Sequence, residues 1–241
     1  MANSTACVLI IGNEILSGRT QDANLGYIGR RCDALGIRLT EARVIADAET
    51  EIITHINECR TRFTYVFTTG GIGPTHDDIT SAAVARAFGV ALVRNSEAVA
   101  ALDRFYEPGR LNDARLRMAD IPEGARLIDN PVSGAPGFQL QNVFVLAGVP
   151  VIMQAMFEGL VDRLSGGPPL LTESVTTTLL EGQFATTLAD IQTQFPDVGI
   201  GSYPYFLHGA LGTNIVLRTT HPGRLQMAVS AVREMIASFS V

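Results

Sequence analysis

Thr69-Gly70-Gly71-Ile72-Gly73-Pro74-Thr75-His76-Asp77-Asp78-Ile79-Thr80 is the stretch on which the reading of this chain turns. A short β-rich run, Tyr65 to Thr69, precedes it, and a helical pattern, Asp77 to Phe88, follows and stops at Gly89. Strand, glycine turn and helix in that order make the first half of a β-α-β unit. Gly70, Gly71 and Gly73 remove side chains where a ligand or another backbone must come close. A helix start offers unpaired N–H groups and the positive end of a dipole, which suit a phosphate. Pro74 and Thr75 stiffen the entry, and Thr80 closes the motif. The expectation is a turn that binds a phosphorylated, nucleotide- or pterin-like small molecule through Gly70, Gly71, Gly73, Thr75 and Thr80.

Asp77 and Asp78 have two readings. Either carboxylate, with Thr80, caps the helix. Alternatively, two adjacent acids beside a phosphate repel it unless a divalent cation stands between them. Mg²⁺ is commonly held by one or two carboxylates plus phosphate oxygens.

Outward from this turn the same alternation repeats. Thr5 to Ile11 reads as a buried strand, Asp22 to Leu35 as a helix capped at Gly36, and Ile37 to Ile45 as a strand. Glu49 to Arg62 reads as a helix with Ile52, Ile53, Ile56 and Cys59 on one face. Parallel β-α-β units follow from this order. Ser96 to Ala119 has helical character interrupted at Glu107-Pro108-Gly109. Ala125 to Ile128 and Gly137 to Leu146 alternate, the latter with a hairpin at Gln141-Asn142. Gly148-Val149-Pro150 precedes a helix running to Leu164. Ser165-Gly166-Gly167-Pro168-Pro169 is the clearest linker and separates residues 1–165 from 170–241. The second segment reads as β-α-β-β-α, a small α+β domain, with strands joined near His208-Gly209.

Other polar clusters sit at strand ends. Gly12 to Asn24 lies past the first strand, where open α/β sheets place their ligands. In it Asp22 reads as a helix cap and Glu14 has no obvious structural task. Ser133 to Phe138, with Gly134 and Gly137, reads as a tight turn that walls a pocket or packs another loop. His55, His208 and His221 lack metal-ligand spacing, and His76 reads as a solvated loop residue.

Composition narrows the chemistry. All 18 basic residues are arginines, so a Walker lysine, a Schiff-base lysine and a Ser-Lys dyad are excluded. A net charge of −6 without a basic run makes nucleic acid a poor partner. Cys7, Cys32 and Cys59 have no short spacing and read as small buried apolar residues, which favours a reducing compartment. The chain shows no signal-peptide pattern and no segment of bilayer-spanning length, and is expected to be soluble and cytoplasmic.

Together these loops resemble the N-terminal domain of the competence/damage-inducible protein A (CinA) family, within the MoaB/Mog-like molybdopterin-binding superfamily. The resemblance covers about Thr5 to Leu164 and rests chiefly on the TGG-x-GPT-x-DD-x-T string. It implies a three-layer α/β/α fold with a mostly parallel sheet and a pocket at the strand C-terminal ends. In the pterin-binding relatives an Arg-Asp pair follows the glycine loop. Here Asp78 matches that acid and Asp77 replaces the basic residue. Glu14 matches the acid of the family's G-D-E-L/I-L motif, in which Asn13 stands for the aspartate. Asp22 and Asn24 match its D-x-N. The segment from Leu170 is similar to a KH-like domain but has no G-x-x-G loop, so no nucleic-acid role is expected.

Three functions are consistent with this reading. The first is metal-dependent hydrolysis of ADP-ribose-like pyrophosphates, with Asp77, Asp78 and Glu14 as catalytic residues. Asp77 and Asp78 would hold Mg²⁺, Mn²⁺ or Co²⁺. The ligand contacts would be the glycine turn with Asp22, Asn24, Gly134 and Gly137. The second is a pterin or molybdopterin enzyme or carrier, and the third a non-catalytic nucleotide-binding module. The partner is expected to be a nucleotide or pterin phosphate, with neither nucleic acid nor membrane, in a homo-oligomer.

Overall fold

A computed structural model describes residues 4–207 and 209–239. The sequence places the central strand without ambiguity. β1 (Thr5–Ile11) is apolar along almost its whole length, as a strand buried on both faces must be. β2 (Arg38–Ile45) and β3 (Tyr65–Thr69) flank it in parallel, and β8 (Val143–Leu146) lies parallel beyond β3. β7 (Gly137–Leu140) and β6 (Arg126–Ile128) extend the sheet antiparallel, giving the order β2-β1-β3-β8-β7-β6. The β7–β8 hairpin turns at Gln141, whose φ of 51° is left-handed.

Successive residues of β1 serve opposite layers, as the two-residue pleat requires. Cys7, Leu9 and Ile11 pack with α3 (Glu49–Arg62) and α4 (Thr80–Phe88). Ala6, Val8 and Ile10 pack with α2 (Asn24–Ala34) and α7 (Pro150–Leu160). The fold is thus the three-layer α/β/α arrangement expected. A four-residue α1 (Asn13–Leu16) follows β1 directly.

Some boundaries move for local reasons. α4 starts at Thr80 rather than Asp77, because Asp78 turns back to accept a hydrogen bond from the Thr75 amide at 2.8 Å. α2 starts at Asn24, with the Asp22 carboxylate taking the Leu25 amide at 2.8 Å. The expected helix from Ser96 splits into α5 (Ser96–Phe105) and α6 (Asp113–Leu116) around the Pro108-Gly109 break. β4 (Leu92–Arg94) and β5 (Asp120–Pro122) form a separate antiparallel pair. Three residues each are too few to show a period. α7 ends at Leu160, four residues short of the Leu164 expected, and a 3-10 turn, Val161–Arg163, follows it.

The chain divides into two compact units between Gly167 and Pro168, inside the glycine-proline linker. In the second unit β9 (Leu171–Thr177), β10 (Gly199–Leu207) and β11 (Ala210–Thr219) form an antiparallel sheet in the order β10-β11-β9. α8 (Glu181–Gln194) and α9 (Pro222–Ser238) complete the β-α-β-β-α order, and Phe184, Ile191, Val229 and Val232 pack with Val175, Ile215 and Leu217. His208 lies outside the described residues. Among the described residues no helix is long and apolar enough to cross a membrane.

Candidate functional site

Because β2, β1, β3 and β8 run parallel, their C-terminal ends open on one edge of the sheet. Each then releases a loop: Asp47 after β2, Gly12 to Ala23 after β1, Gly70 to Ile79 after β3, and Ala147 to Val149 after β8. These loops enclose a cleft of about 600 Å³. Gly70 to Pro74, Asp77 and Asp78 form one wall and Gly148 to Pro150 another, while Glu14, Thr20 and Asp47 reach in from the β1–β2 side. Tyr106, Met118, Ile72 and Ile152 make the remainder largely apolar.

Backbone geometry explains the glycines. Gly70 has φ 103°, and a Cβ there would stand 2.3 Å from the Ile11 carbonyl oxygen. Gly71 has φ 68°, and a Cβ would meet Thr80 Oγ1 at 2.2 Å. A Cβ on Gly73 would press on the Asp78 carboxylate at 2.6 Å. The Gly70 amide donates to Leu146 O at 3.1 Å. The amides of Gly71, Ile72 and Gly73 find no acceptor among the described residues, and all three residues belong to the cleft wall.

The acid pair does not cap α4. Thr75 Oγ1 lies 2.5 Å from Asp77 Oδ1 and 2.6 Å from Asp78 Oδ2. One hydroxyl proton therefore faces two carboxylates and serves one at a time. The Thr75 hydroxyl, then its own backbone amide, holds the Asp77 carboxyl below its usual range. Four carboxylates, Glu14, Asp47, Asp77 and Asp78, line the cleft; among the described residues no arginine is in the lining, but Arg117 donates to the carbonyl of its wall residue Pro74 at 2.7 Å. No three of them come as close as 4.8 Å to one another.

Several residues read as ligand contacts have other work. Thr80 is fully buried, donates to Gly70 O at 3.1 Å, and holds the turn from behind. Thr75 organises the acid pair and stands outside the cleft lining. Gly134 and Gly137 are likewise outside it: a Cβ would strike Phe105 in the first case and Val145 O in the second. Ser133 and Ala135 face the cleft instead. Asp22 and Asn24 line a smaller recess beside the cleft.

Two residues escaped the sequence reading. Asp47 accepts the Asn13 amide at 2.7 Å and so fixes the start of α1. Its position just past a parallel strand end was the available signal. Asn130 is buried, donates to Ala135 O and Ser133 Oγ at 2.7 Å each, and accepts the Val132 and Ser133 amides. The Asn130-Pro131 pair is a turn-starting dipeptide that would have marked it.

The cysteines are all buried, as expected. Cys7 and Cys59, far apart in sequence, touch at 3.6 Å with Glu41 beside them. The hydrogen bond from Cys7 and then Arg43 favour the Cys59 thiolate, while contact and burial push the Cys7 thiol up. Burial pushes Cys32 up to about 12. Arg43 and Arg62 already neutralise Glu41, so the trio offers a cation little.

A parallel α/β/α sheet with a glycine turn and an acidic cleft at its strand ends defines the class. Residues 7–166 match the family model described as a probable molybdopterin binding domain. This chain belongs to that family. Residues 169–241 match the middle domain of FAD synthase. The KH-like assignment of this segment is thereby corrected; its β-α-β-β-α order suits more than one small α+β domain.

Among similar proteins, a probable FAD synthase of Caenorhabditis elegans is 31% identical over 98% of this chain and 51% of its own length. A CinA-like protein of Syntrophus aciditrophicus is 36% identical over 83% of this chain and 50% of its own. The chain thus spans about half the length of these curated relatives. The crystal structure of CinA from Thermoplasma acidophilum, whose function is unknown, matches with 34% identity and a TM-score of 0.63. It covers 66% of this chain and 97% of that one.

Proposed function

We propose that this chain is a divalent-cation-dependent hydrolase of nucleotide pyrophosphates of the ADP-ribose type. One observation carries the reading: four carboxylates, and among the described residues no basic side chain, line a cleft that also takes in a glycine turn whose amides have no acceptor, with Arg117 held to the wall residue Pro74. An anionic pyrophosphate is repelled by such a wall until a cation intervenes. Hard oxygen donors suit Mg²⁺, Mn²⁺ or Co²⁺. Asp77 and Asp78 would hold the ion together with phosphate oxygens. When bound, it would neutralise that repulsion and polarise the phosphoryl group. The amides of Gly71 to Gly73 meet charge growing on the phosphoryl oxygens. Glu14, on the opposite side, takes the proton of the attacking water. The P–O–P bridge breaks, and ADP-ribose gives AMP and ribose 5-phosphate. The FAD synthase relatives add FAD to the pyrophosphates to be tried.

The test incubates the protein with ADP-ribose or FAD and each cation and follows AMP release. Asp77→Asn with Asp78→Asn should lower the rate at least ~100-fold, the scale of losing one electrostatic stabiliser. The absence of AMP with every cation, or equal rates in the double variant, removes the reading.

The family match supports a second reading, in which the cleft holds a pterin phosphate. Asp77, in place of the basic residue of the pterin-binding relatives, weighs against it. Saturable molybdopterin binding without pyrophosphate hydrolysis would establish it.

A further inference from the structure

The β1–β2 ladder carries one irregularity, and it lies at a sulfur. Ala6 pairs with Leu39 but Cys7 pairs with Glu41, so Thr40 is left without a counterpart. A bulge of this kind re-aims the side chains beyond it, and it is rare between parallel strands. Without it Glu41 would stand opposite Val8, whose side chain packs with α2 and α7. With it Glu41 and Arg43 stand level with Cys7 and Leu9, on the side of the sheet that faces α3. Two charged residues are thereby placed beside Cys7 of β1 and Cys59 of α3, at the border of an apolar core.

The two sulfurs touch at 3.6 Å, although 52 positions separate them in the chain. The Glu41 carboxylate lies within 4.8 Å of both. Arg43 donates to Glu41 at 2.6 Å and to Glu58, the chain neighbour of Cys59, at 2.5 Å. Both thiols are fully buried, but Glu41 and Arg43 are partly exposed, so the pair has groups that reach solvent on one side. Cysteines that only fill space need no such neighbours. Cys32 shows the contrast: it lies in the other layer, among the apolar side chains under α2 and α7, with the sheet between it and the pair.

We infer that Cys7 and Cys59 are a redox site, which a small peroxide converts into a disulfide joining β1 to α3. The sulfurs must close by about 1.5 Å to reach bonding distance. Cys59 is the attacking group, since the hydrogen bond from Cys7 and then Arg43 favour its thiolate. The thiolate takes one peroxide oxygen, the O–O bond breaks, and the departing hydroxide combines with the proton that Cys59 gave up. The Cys7 sulfur then attacks the Cys59 sulfur; the S–O bond breaks and the hydroxyl leaves as water with the Cys7 proton. Two thiols and one peroxide thus give one disulfide and two waters, and the sulfurs lose the two electrons that the peroxide gains. A second thiol in contact diverts Cys59 from irreversible oxidation to the sulfinic acid. The site is independent of what the cleft binds.

The test treats the reduced full chain with a small molar excess of hydrogen peroxide, unfolds it with a maleimide present, and counts alkylated cysteines by mass spectrometry. The count should fall from three to one, and peptide mapping should find Cys7 joined to Cys59. Dithiothreitol should restore all three. This pairing closes the longest of the three possible loops, whereas a chain oxidised in urea should favour the shorter loops through Cys32. A Cys7–Cys59 bond therefore reports the native geometry. Cys32→Ala should lose both of its thiols at the parent's rate, and Cys59→Ala should keep both of its own. Three alkylated cysteines after treatment, a sulfinic acid at Cys59 in place of the bond, or a bond to Cys32 overturns the assignment.

Discussion

The two units of this chain solve the same burial problem with different strand directions, and in the larger one the parallel strand ends open a cleft of about 600 Å³ lined by loops from distant parts of the sequence. In the larger unit four parallel strands end on one edge, because each must cross over through a helix before the next begins. Loops from distant parts of the sequence therefore meet there. In the smaller unit β9 and β10 each pair antiparallel with the central β11, and α8 connects these two outer strands. Its apolar exposure is instead concentrated on the β10–β11 hairpin, at Tyr203, Phe206, Leu207 and Leu211. Parallel topology gathers functional groups; antiparallel topology chiefly builds a stable surface.

Four measurements would break or sharpen this contrast. The largest effect is expected from Phe184→Ala in the smaller core, where the ring is 1% exposed. A buried Phe→Ala change costs ~3–5 kcal/mol, about the whole reserve of a domain this small. Hydrogen exchange on the full chain should show peptides of Pro168–Val241 losing protection. Phe157→Ala, in the larger core, should leave Met1–Gly167 protected. Equal collapse of both units would contradict separate cores.

Gly70→Ala is next. The added Cβ meets Ile11 O at a positive φ, so a loss of about 2–4 kcal/mol is expected in urea unfolding. A normal midpoint would mean that the strand ends are less closely packed than described.

Acid stability should report on one ion pair in each unit. Arg31 donates to Glu158 at 2.6 and 2.7 Å, which lowers the Glu158 carboxyl below its usual value of 4.5. This contribution is complete above pH 4.5 and disappears as pH falls through the lower folded value. Solvent screens the half-exposed pair, so about 0.5–1 kcal/mol is at stake. Arg31→Met should flatten the pH dependence of urea midpoints below pH 4.5. In the smaller unit Arg224 likewise lowers Asp197, which is no more exposed than Glu158, so Arg224→Met should flatten the dependence in the same direction. Urea midpoints that keep their full acid dependence in both variants would refute these contributions.

The smallest effect is a gain. Gly182, in the first turn of α8, has open space around it, and Gly182→Ala should stabilise by about 0.5–1 kcal/mol through helix propensity. A loss would reveal a contact that the isolated unit does not show.

Much of the site could be read along the chain, for a local reason. Gly70 and Gly71 take positive φ, Gly71 and Gly73 are crowded by the nearby side chains of Thr80 and Asp78, and Asp77 and Asp78 follow within the same turn, although the contact that crowds Gly70 comes from distant Ile11. The roles of Thr80, Gly134 and Gly137 could not be read. Each answers a steric demand from Gly70, Phe105 or Val145, residues distant in sequence or hidden behind a turn. Asp47 was missed because only the β1–β2 pairing brings it to the Glu14 side of the cleft, where it accepts the Asn13 amide.

The sequence alone determined the strand–helix alternation, the glycine turn, the linker at Ser165–Pro169 and the exclusion of lysine chemistry, because periodicity, turn propensity and composition are local properties. Tertiary structure decided that four acids share one cleft, and that Cys7 meets Cys59. Those depend on which strand ends become neighbours, and strand order is set by packing the whole sheet between its two helical layers.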